Sequence, residues 1–574
     1  MNLSRLACVI CALLLATSLV AAQGRAGLKK ADSTKAADAK GAEKKVEAKT
    51  DQPKKDDPRK VEPKKEDPNK ADPNKLPLSK LAPAKLIPNL CVVQYPITTS
   101  SPECQAYFNQ GLGYFYSYVW MEAARSFETA AKHDPQCPMA WWGLSRAIEK
   151  WGRGQHGEAL KKAKELLAKA SHRETLLINA RLADKGMIDG IKPENRRKEA
   201  AKYLDELLTL HDDDEEGWFY RSQVADGPNA AVPYFKALLR VNPLHPGAHH
   251  ELVHHYENIR RPALGWPHAV GYIQSSPGIP HAFHMQAHLG MRIGKWDKTT
   301  DWSSRAIELQ TAYHKEMGVK PSEDWQFSHH LETLMQSLIH DGRFKEGRAV
   351  KAECEKHGYL QRVHWFRLHL AERDWEATQK IVDHFKKDKL MGAYLRAVMY
   401  LRKGEVERAQ PEVNVLAEAW PTKKTDKDLE LRLWETQGLL QCAKGAADGG
   451  LKLLAKAVAK TKDDYRTHAW GHGAYHMECW GVAALKANRL SVAEEAFLEA
   501  LAHDAGSVRG ALGMQVVCER QGRSEEALRF AELAQRIWRR ADPGRLEAEL
   551  QDLRGIYATA ATQSPGNGSN QTQN

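Results

Sequence analysis

Beyond residue 22 the chain has no apolar run long enough to cross a bilayer, which excludes a polytopic membrane protein. Cysteine is scarce, 9 of 574 residues, and Cys8 and Cys11 fall within the N-terminal apolar run. Cys91, Cys104, Cys137, Cys354, Cys442, Cys479 and Cys518 are scattered and odd in number, so no disulfide framework is expected. A single bridge among Cys91, Cys104 and Cys137 fits an oxidising compartment, and the others read as buried thiols. No CxxCH is present, so covalent haem attachment is not indicated. A phosphate loop, a GxSxG elbow and a Cys/His catalytic signature are also missing, so no nucleophilic or phosphate chemistry is signalled.

Aromatic residues are missing from Arg25 to Pro88, a low-complexity stretch of Lys, Ala, Asp and Pro that cannot bury a core. Much of the net charge of +11 resides there, leaving the remainder only mildly basic. A nucleic-acid footprint should cluster on a folded surface, so no nucleic-acid partner is expected.

What is present begins with Met1-Asn2-Leu3-Ser4-Arg5, then an apolar run from Leu6 to Val20 and the small residues Ala21-Ala22. This order predicts a signal peptide over 1–22, and hence export to a periplasmic or extracellular location with no integral membrane segment after cleavage. Residues 23–97 are expected to form an extended, disordered tether, 98–560 a folded body and 561–574 a disordered tail.

The body is periodic. Taking Cys104 as position 1, Gly111 falls at 8, Tyr114 at 11, Ala123 at 20, Phe127 at 24, Ala130 at 27 and Pro135 at 32. That is the 34-residue tetratricopeptide (TPR) template, whose small residues let two helices touch and whose proline stops the second one. A unit starts at Pro138, with Trp141, Leu144 and Ser145 at 4, 7 and 8. Ala231, Phe235 and Pro243 recur at 20, 24 and 32; Gly481, Ala493, Phe497 and Ala500 recur at 8, 20, 24 and 27. Gly294, Gly342, Gly404 and Gly445 mark hairpin turns of weaker units. The predicted fold is all-α, a TPR-type solenoid: a right-handed superhelix of helical hairpins with a concave face.

Histidine is concentrated in residues 246–340. With Pro246 as position 1, His250, His254 and Glu257 lie at 5, 9 and 12; with Pro280 as position 1, His281, His284 and His288 lie at 2, 5 and 9. In the next unit His329 lies at 2 and Glu332 at 5. Residues four apart share a helix face, so adjacent helices would present their imidazoles to one surface. His250, His254, His281, His284, His288 and His329, with Glu257, form the candidate metal site. Imidazole donors suit Zn, Cu, Ni or Fe, and a carboxylate can orient a ring through its second nitrogen. His249 and His255 point elsewhere and carry no assigned role.

His250-Glu251-Leu-Val-His254 also matches HExxH, but Glu251 at position 6 is turned off the groove face. A second His/aromatic patch spans Tyr465 to His476, with Glu478 at position 5 of its unit.

The segments Phe108-Asn-Gln-Gly-Leu, Asp134-Pro-Gln-Cys-Pro-Met-Ala-Trp-Trp-Gly143 and Asn242-Pro-Leu-His-Pro-Gly-Ala, with the His patterns that follow, resemble exported bacterial TPR proteins with a His-rich central repeat. The match spans most of 100–345. The resemblance implies that helix A positions 2, 5, 9, 12 and 13 line the groove, and it covers His250 and His254 but not Glu251. Glu332 stands where such proteins often have His. The expected function is an extracytoplasmic scaffold binding a protein or peptide in its concave groove, with a His-coordinated transition metal. The alternative is a metal-dependent hydrolase using the same cluster, with Glu251 or Glu257 as base.

Overall fold

The computed structural model describes residues 74–360, 362–462 and 473–555, all within one compact unit that runs from Asn69 onward. The expected signal peptide, most of the tether and the tail lie outside the described residues. Among these residues there are twenty-five α-helices and no strands, and no helix is long and apolar enough to cross a membrane.

The helices alternate as antiparallel hairpins. The first is α1 (Pro102–Tyr116) and α2 (Trp120–His133), followed by α3 (Pro138–Trp151), α4 (His156–Glu165), α5 (His172–Asp184) and α6 (Arg196–Leu210). Next come α7 (Glu215–Gln223), α8 (Pro228–Val241), α9 (Pro246–Asn258) and α10 (Pro262–Ser275). Then follow α11 (Pro280–Arg292), α12 (Trp296–Met317), α13 (Trp325–His340) and α14 (Phe344–Lys356), with further hairpins to Arg554.

The template predicts its own packing. The Phe127 ring of α2 lies between Gly111 on α1 and Gly143 on α3; a Cβ at either glycine would sit 2.7 Å from the ring. Only a residue without a side chain lets the two first helices approach the same ring. Phe497 repeats the arrangement with Gly481 and Gly513. Helices α2 and α8 end two residues before Pro135 and Pro243, as a residue lacking an N–H and disfavouring helix in its predecessor requires. Gly294, Gly342, Gly404 and Gly445 all have positive φ, as turns after a first helix demand.

Two features depart from the expected body. Residues 74–97 do not behave as tether: Leu76, Ala84, Leu90, Val93 and Tyr95 are buried. The extended backbone there has no sheet to join, and side chains of the hairpins satisfy it. Ser79 N–H donates to Glu128 at 2.8 Å, Ala84 N–H to Thr129 at 2.9 Å and Ile87 N–H to Gln110 at 2.8 Å. The stretch to Pro88, expected to be unable to bury a core, thus does so from Leu76 onward, where its apolar residues meet the hairpins.

Second, the C-terminal repeats fold back onto the turns of the His-rich repeats. Trp296 Nε1 donates to Asp504 at 3.0 Å, Trp538 Nε1 to the His340 carbonyl at 2.7 Å, and Asp542 N–H to the Gly342 carbonyl at 2.9 Å. At Gly294 a Cβ would lie 2.6 Å from the Gly506 nitrogen, so this turn must be glycine for contact as well as for conformation.

Candidate metal centre

Pro246 and Pro280 begin α9 and α11, where a proline costs no hydrogen bond and sets the helical φ. Equal phase from those starts places His250 and His254 on α9 beside His281, His284 and His288 on α11. Helix α13 adds His329. The expected residues do converge, but not on an open wall.

The turn between α1 and α2 covers them. Tyr118 adopts a left-handed conformation, φ +60°, a costly choice for an aromatic residue. It holds the ring parallel to His254 with centroids 5.8 Å apart, and 4.4 Å from the His250 centroid. His250 and His284 are completely buried, while the side chains of His254 and His329 keep 30% and 28% exposure. The concave face at this point is thus filled by the chain's own first hairpin, which corrects the expected groove-surface patch. Tyr116 of that hairpin is buried against Phe219 and His245, which anchors the turn.

Among the described residues three groups of imidazoles have donor atoms within 4.8 Å of one another. They are His250 with His254 and His281; His281 with His284 and His330; and His284 with His288 and His329. His330 was missed in the sequence. Position 3 of its repeat faces the packing side rather than the groove, and only the seating of α13 against α11 brings it within 4.2 Å of the His284 ring. Its adjacency to His329 was the one available signal.

The protons on these rings are set by neighbours. His250 Nδ1 donates to the Tyr116 carbonyl at 2.6 Å, leaving the Nε2 lone pair directed at His281 Nε2, 3.1 Å away. Gln310 donates to Asp324 and so turns its oxygen to His330, whose Nδ1 donates to it at 2.6 Å; the Nε2 of His330 has no partner. Neither nitrogen of His284 has one. Burial, then neighbouring imidazoles, pushes the pKa of His250, His281, His284 and His330 well below the usual 6.5. These rings are neutral, the form that ligates a metal.

Glu257 is the carboxylate of the cluster. It lies 3.4 Å from His288, 3.9 Å from His254 and 2.9 Å from the Arg292 guanidinium. Burial opposes its charge, but His288, Arg292 and His254 together hold its pKa down to about 2. Glu332 accepts from His364 at 2.8 Å and lies 3.5 Å from His329, and these two bonds bring it down to about 2. It orients His329 from outside the cluster.

Glu251, the base of the HExxH reading, does not face the histidines. Tyr118 donates to it at 2.8 Å, and burial raises its pKa. His249 packs on α10, with its Nδ1 3.2 Å from His268, and His255 lies against Tyr256. Of the second His/aromatic patch, residues 463–472 lie outside the described residues; Glu478 is half-buried and accepts from Ser507 at 2.7 Å.

The Tetratricopeptide repeat family model matches residues 108–174. No curated protein matches the chain significantly. Among solved structures, the P58(IPK) TPR domain is similar at 11% identity over 75% of this chain and 99% of that one, with a TM-score of 0.21. A chain of the APC/C hetero-tetramer Cut9-Hcn1 shows 12% identity over 79% and 84%, TM-score 0.36; the human IFIT1 dimer with m7Gppp-AAAA shows 14% over 77% and 91%, TM-score 0.27. Overlays this loose carry no functional argument. The repeat matched over 108–174, and the glycine–phenylalanine hairpin packing that returns at Phe497, support a tetratricopeptide repeat architecture.

Proposed function

We propose that the chain is an exported TPR scaffold, periplasmic or extracellular, which holds a transition metal on its histidine cluster and receives a protein or peptide partner on its concave wall. The observation that carries the metal is His284. An imidazole at 0% exposure with both nitrogens unpartnered costs about 1–3 kcal/mol for each group left without a bond. Its neighbours at 4.2 Å are His288 and His330, so a cation accepting their lone pairs removes that cost at one nitrogen of His284. The ligands are His250, His254, His281, His284, His288, His329 and His330, with Glu257 offsetting the charge. Nitrogen donors of this kind select Zn, Cu, Ni or Fe over Mg or Ca.

Since the first hairpin occupies the wall at the histidines, the partner surface lies further along. A cavity of about 660 Å3 is lined there by Phe344, Leu370, Val398 and Val482, with Arg367 and Arg509. Arg509 there is held by Glu549 at 2.8 Å, so the apolar floor rather than a free charge suits an extended peptide with apolar side chains.

Elemental analysis of protein purified without a His tag, set against a His254→Ala/His288→Ala variant, tests the metal. Bound metal in the wild type and its loss in the variant is the expected result; equal, negligible metal in both defeats it. A metal-dependent hydrolase would need a free base beside the ion. Glu251 is held by Tyr118 and Glu257 by Arg292, so we retain the scaffold. Turnover abolished by Glu251→Gln would reverse that choice.

A further inference from the structure

Resting on the metal reading above, we infer that the cluster holds two transition-metal ions rather than one, at separate three-histidine sites. The first is His250, His254 and His281; the second is His284, His288 and His329, with His330 as an additional donor beside His284.

The argument is a count of lone pairs. A neutral imidazole carries one, because its other nitrogen bears the proton. Two tautomers are set by the surroundings: His250 donates from Nδ1 to the Tyr116 carbonyl, and His330 donates from Nδ1 to Gln310. Each therefore offers Nε2 alone. The three groups of converging donors name seven different histidines, because His281 and His284 each belong to two groups. Three ions with three imidazoles each would need about nine lone pairs, more than seven rings supply. The two outer groups share no residue and can both be filled. Filling them consumes His281 and His284, and with them the middle group.

A single ion leaves one end of the chain unsatisfied. Placed on the first group, it leaves both nitrogens of His284 buried and unpartnered. Placed on the second, it leaves buried Nε2 of His254 unpartnered, since the Tyr116–His250–His281–Gln326 series does not reach it. Each end has its own unpartnered donor, and each has a partly exposed ring, His254 or His329, through which an ion can arrive.

Glu257 fits the same division. Its two oxygens approach one ring from each outer group, His254 at 3.9 Å and His288 at 3.4 Å. One carboxylate thereby stands between the two sites and offsets the charge of both, while orienting a ligand of each.

The experiment is stoichiometry on the full chain without a His tag. Protein stripped by chelator is loaded separately with Zn(II), Cu(II) and Ni(II), desalted, and assayed for metal per chain by mass spectrometry. Two ions per chain is expected for at least one of these metals. Zero for all three metals defeats the metal reading itself; a maximum of one leaves that reading intact and overturns the two-site inference. His254→Ala and His288→Ala should each retain one ion. Loss of both ions from either folded variant would merge the sites into one and overturn the division. Should either variant fail to fold, Co(II) titration of the wild type followed by its ligand-field absorption decides the matter. A break at two equivalents supports two sites and a break at one overturns them.

Discussion

The Nε2 atoms of His250 and His281 lie 3.1 Å apart, and only one of them can carry a proton. His250 spends its proton on Tyr116, so in the metal-free chain His281 donates and Gln326 donates in turn to His281 Nδ1 at 3.3 Å. An ion between the rings requires the opposite tautomer of His281, with Nδ1 protonated and an acceptor facing it. Gln326→Glu supplies that acceptor and should tighten metal binding about tenfold, whereas Gln326→Leu should weaken it by a similar factor. Competition against a chromophoric chelator measures both, and equal affinities for the two variants would contradict the tautomer argument.

His284→Leu separates a structural histidine from a ligand. A structural imidazole loses hydrogen bonds when replaced, and stability falls. Here neither nitrogen is bonded, so a leucine of similar size removes a desolvation cost. The metal-free variant should be more stable than wild type by about 1 kcal/mol in urea unfolding, while its metal content drops.

Acid should destabilise the chain through His245. Its Nδ1 accepts the Ala248 N–H at the start of α9, and burial, followed by His249, lowers its pKa to about 3. The folded value lies below the ordinary 6.5, so between pH 6.5 and about 3 the unfolded chain holds the extra proton. Stability is therefore lost as pH falls through that window, with this residue contributing about 1.4 kcal/mol per pH unit. His245→Asn keeps a helix cap without titrating, and denaturant midpoints across pH 4–6 should show a shallower slope.

Phe127 should be the costliest residue of the first repeat to truncate. Phe127→Ala empties the space between Gly111 and Gly143 and should destabilise by about 3–5 kcal/mol. Gly143→Ala should cost about 1–3 kcal/mol, because the ring has Gly111 behind it and cannot retreat. Thermal unfolding with both variants checks the pair, and a neutral Gly143→Ala would show that the ring can move.

Cys104 and Cys137 are both fully buried, and the two thiols lie close enough for each to shift the other's pKa. Of the three cysteines considered for a bridge, these two are placed to form it, while Cys91 lies near the Ser276 hydroxyl. Protein recovered from an oxidising compartment should yield a Cys104–Cys137 linked peptide by non-reducing mass spectrometry. Fully reduced thiols at both positions would argue against export.

Much of the repeat was legible because each unit carries its own packing code. Gly111, Ala123 and Phe127 are local choices whose consequences recur wherever the spacing recurs, so helix starts at Pro138, Pro246 and Pro280 could be read directly. The boundary at residue 97 was not legible. Leu76 to Tyr95 is extended chain whose partners, Glu128, Thr129 and Gln110, lie in helices that no local pattern connects to it.

The sequence by itself determined the hairpin solenoid and the phase of the histidines. Helical periodicity is a local property, and equal offsets from Pro246 and Pro280 put His250, His254, His284 and His288 on like faces. Only the tertiary structure decided what that face meets. Tyr118 covers it, His330 joins it from α13, and the residues near Asp504 and Trp538 return to the turns at Gly294 and Gly342. These contacts join residues from about thirty to more than two hundred positions apart in the chain. Their free energy comes from burying surfaces that meet only after the superhelix has formed, and a repeat code specifies neighbours one unit away.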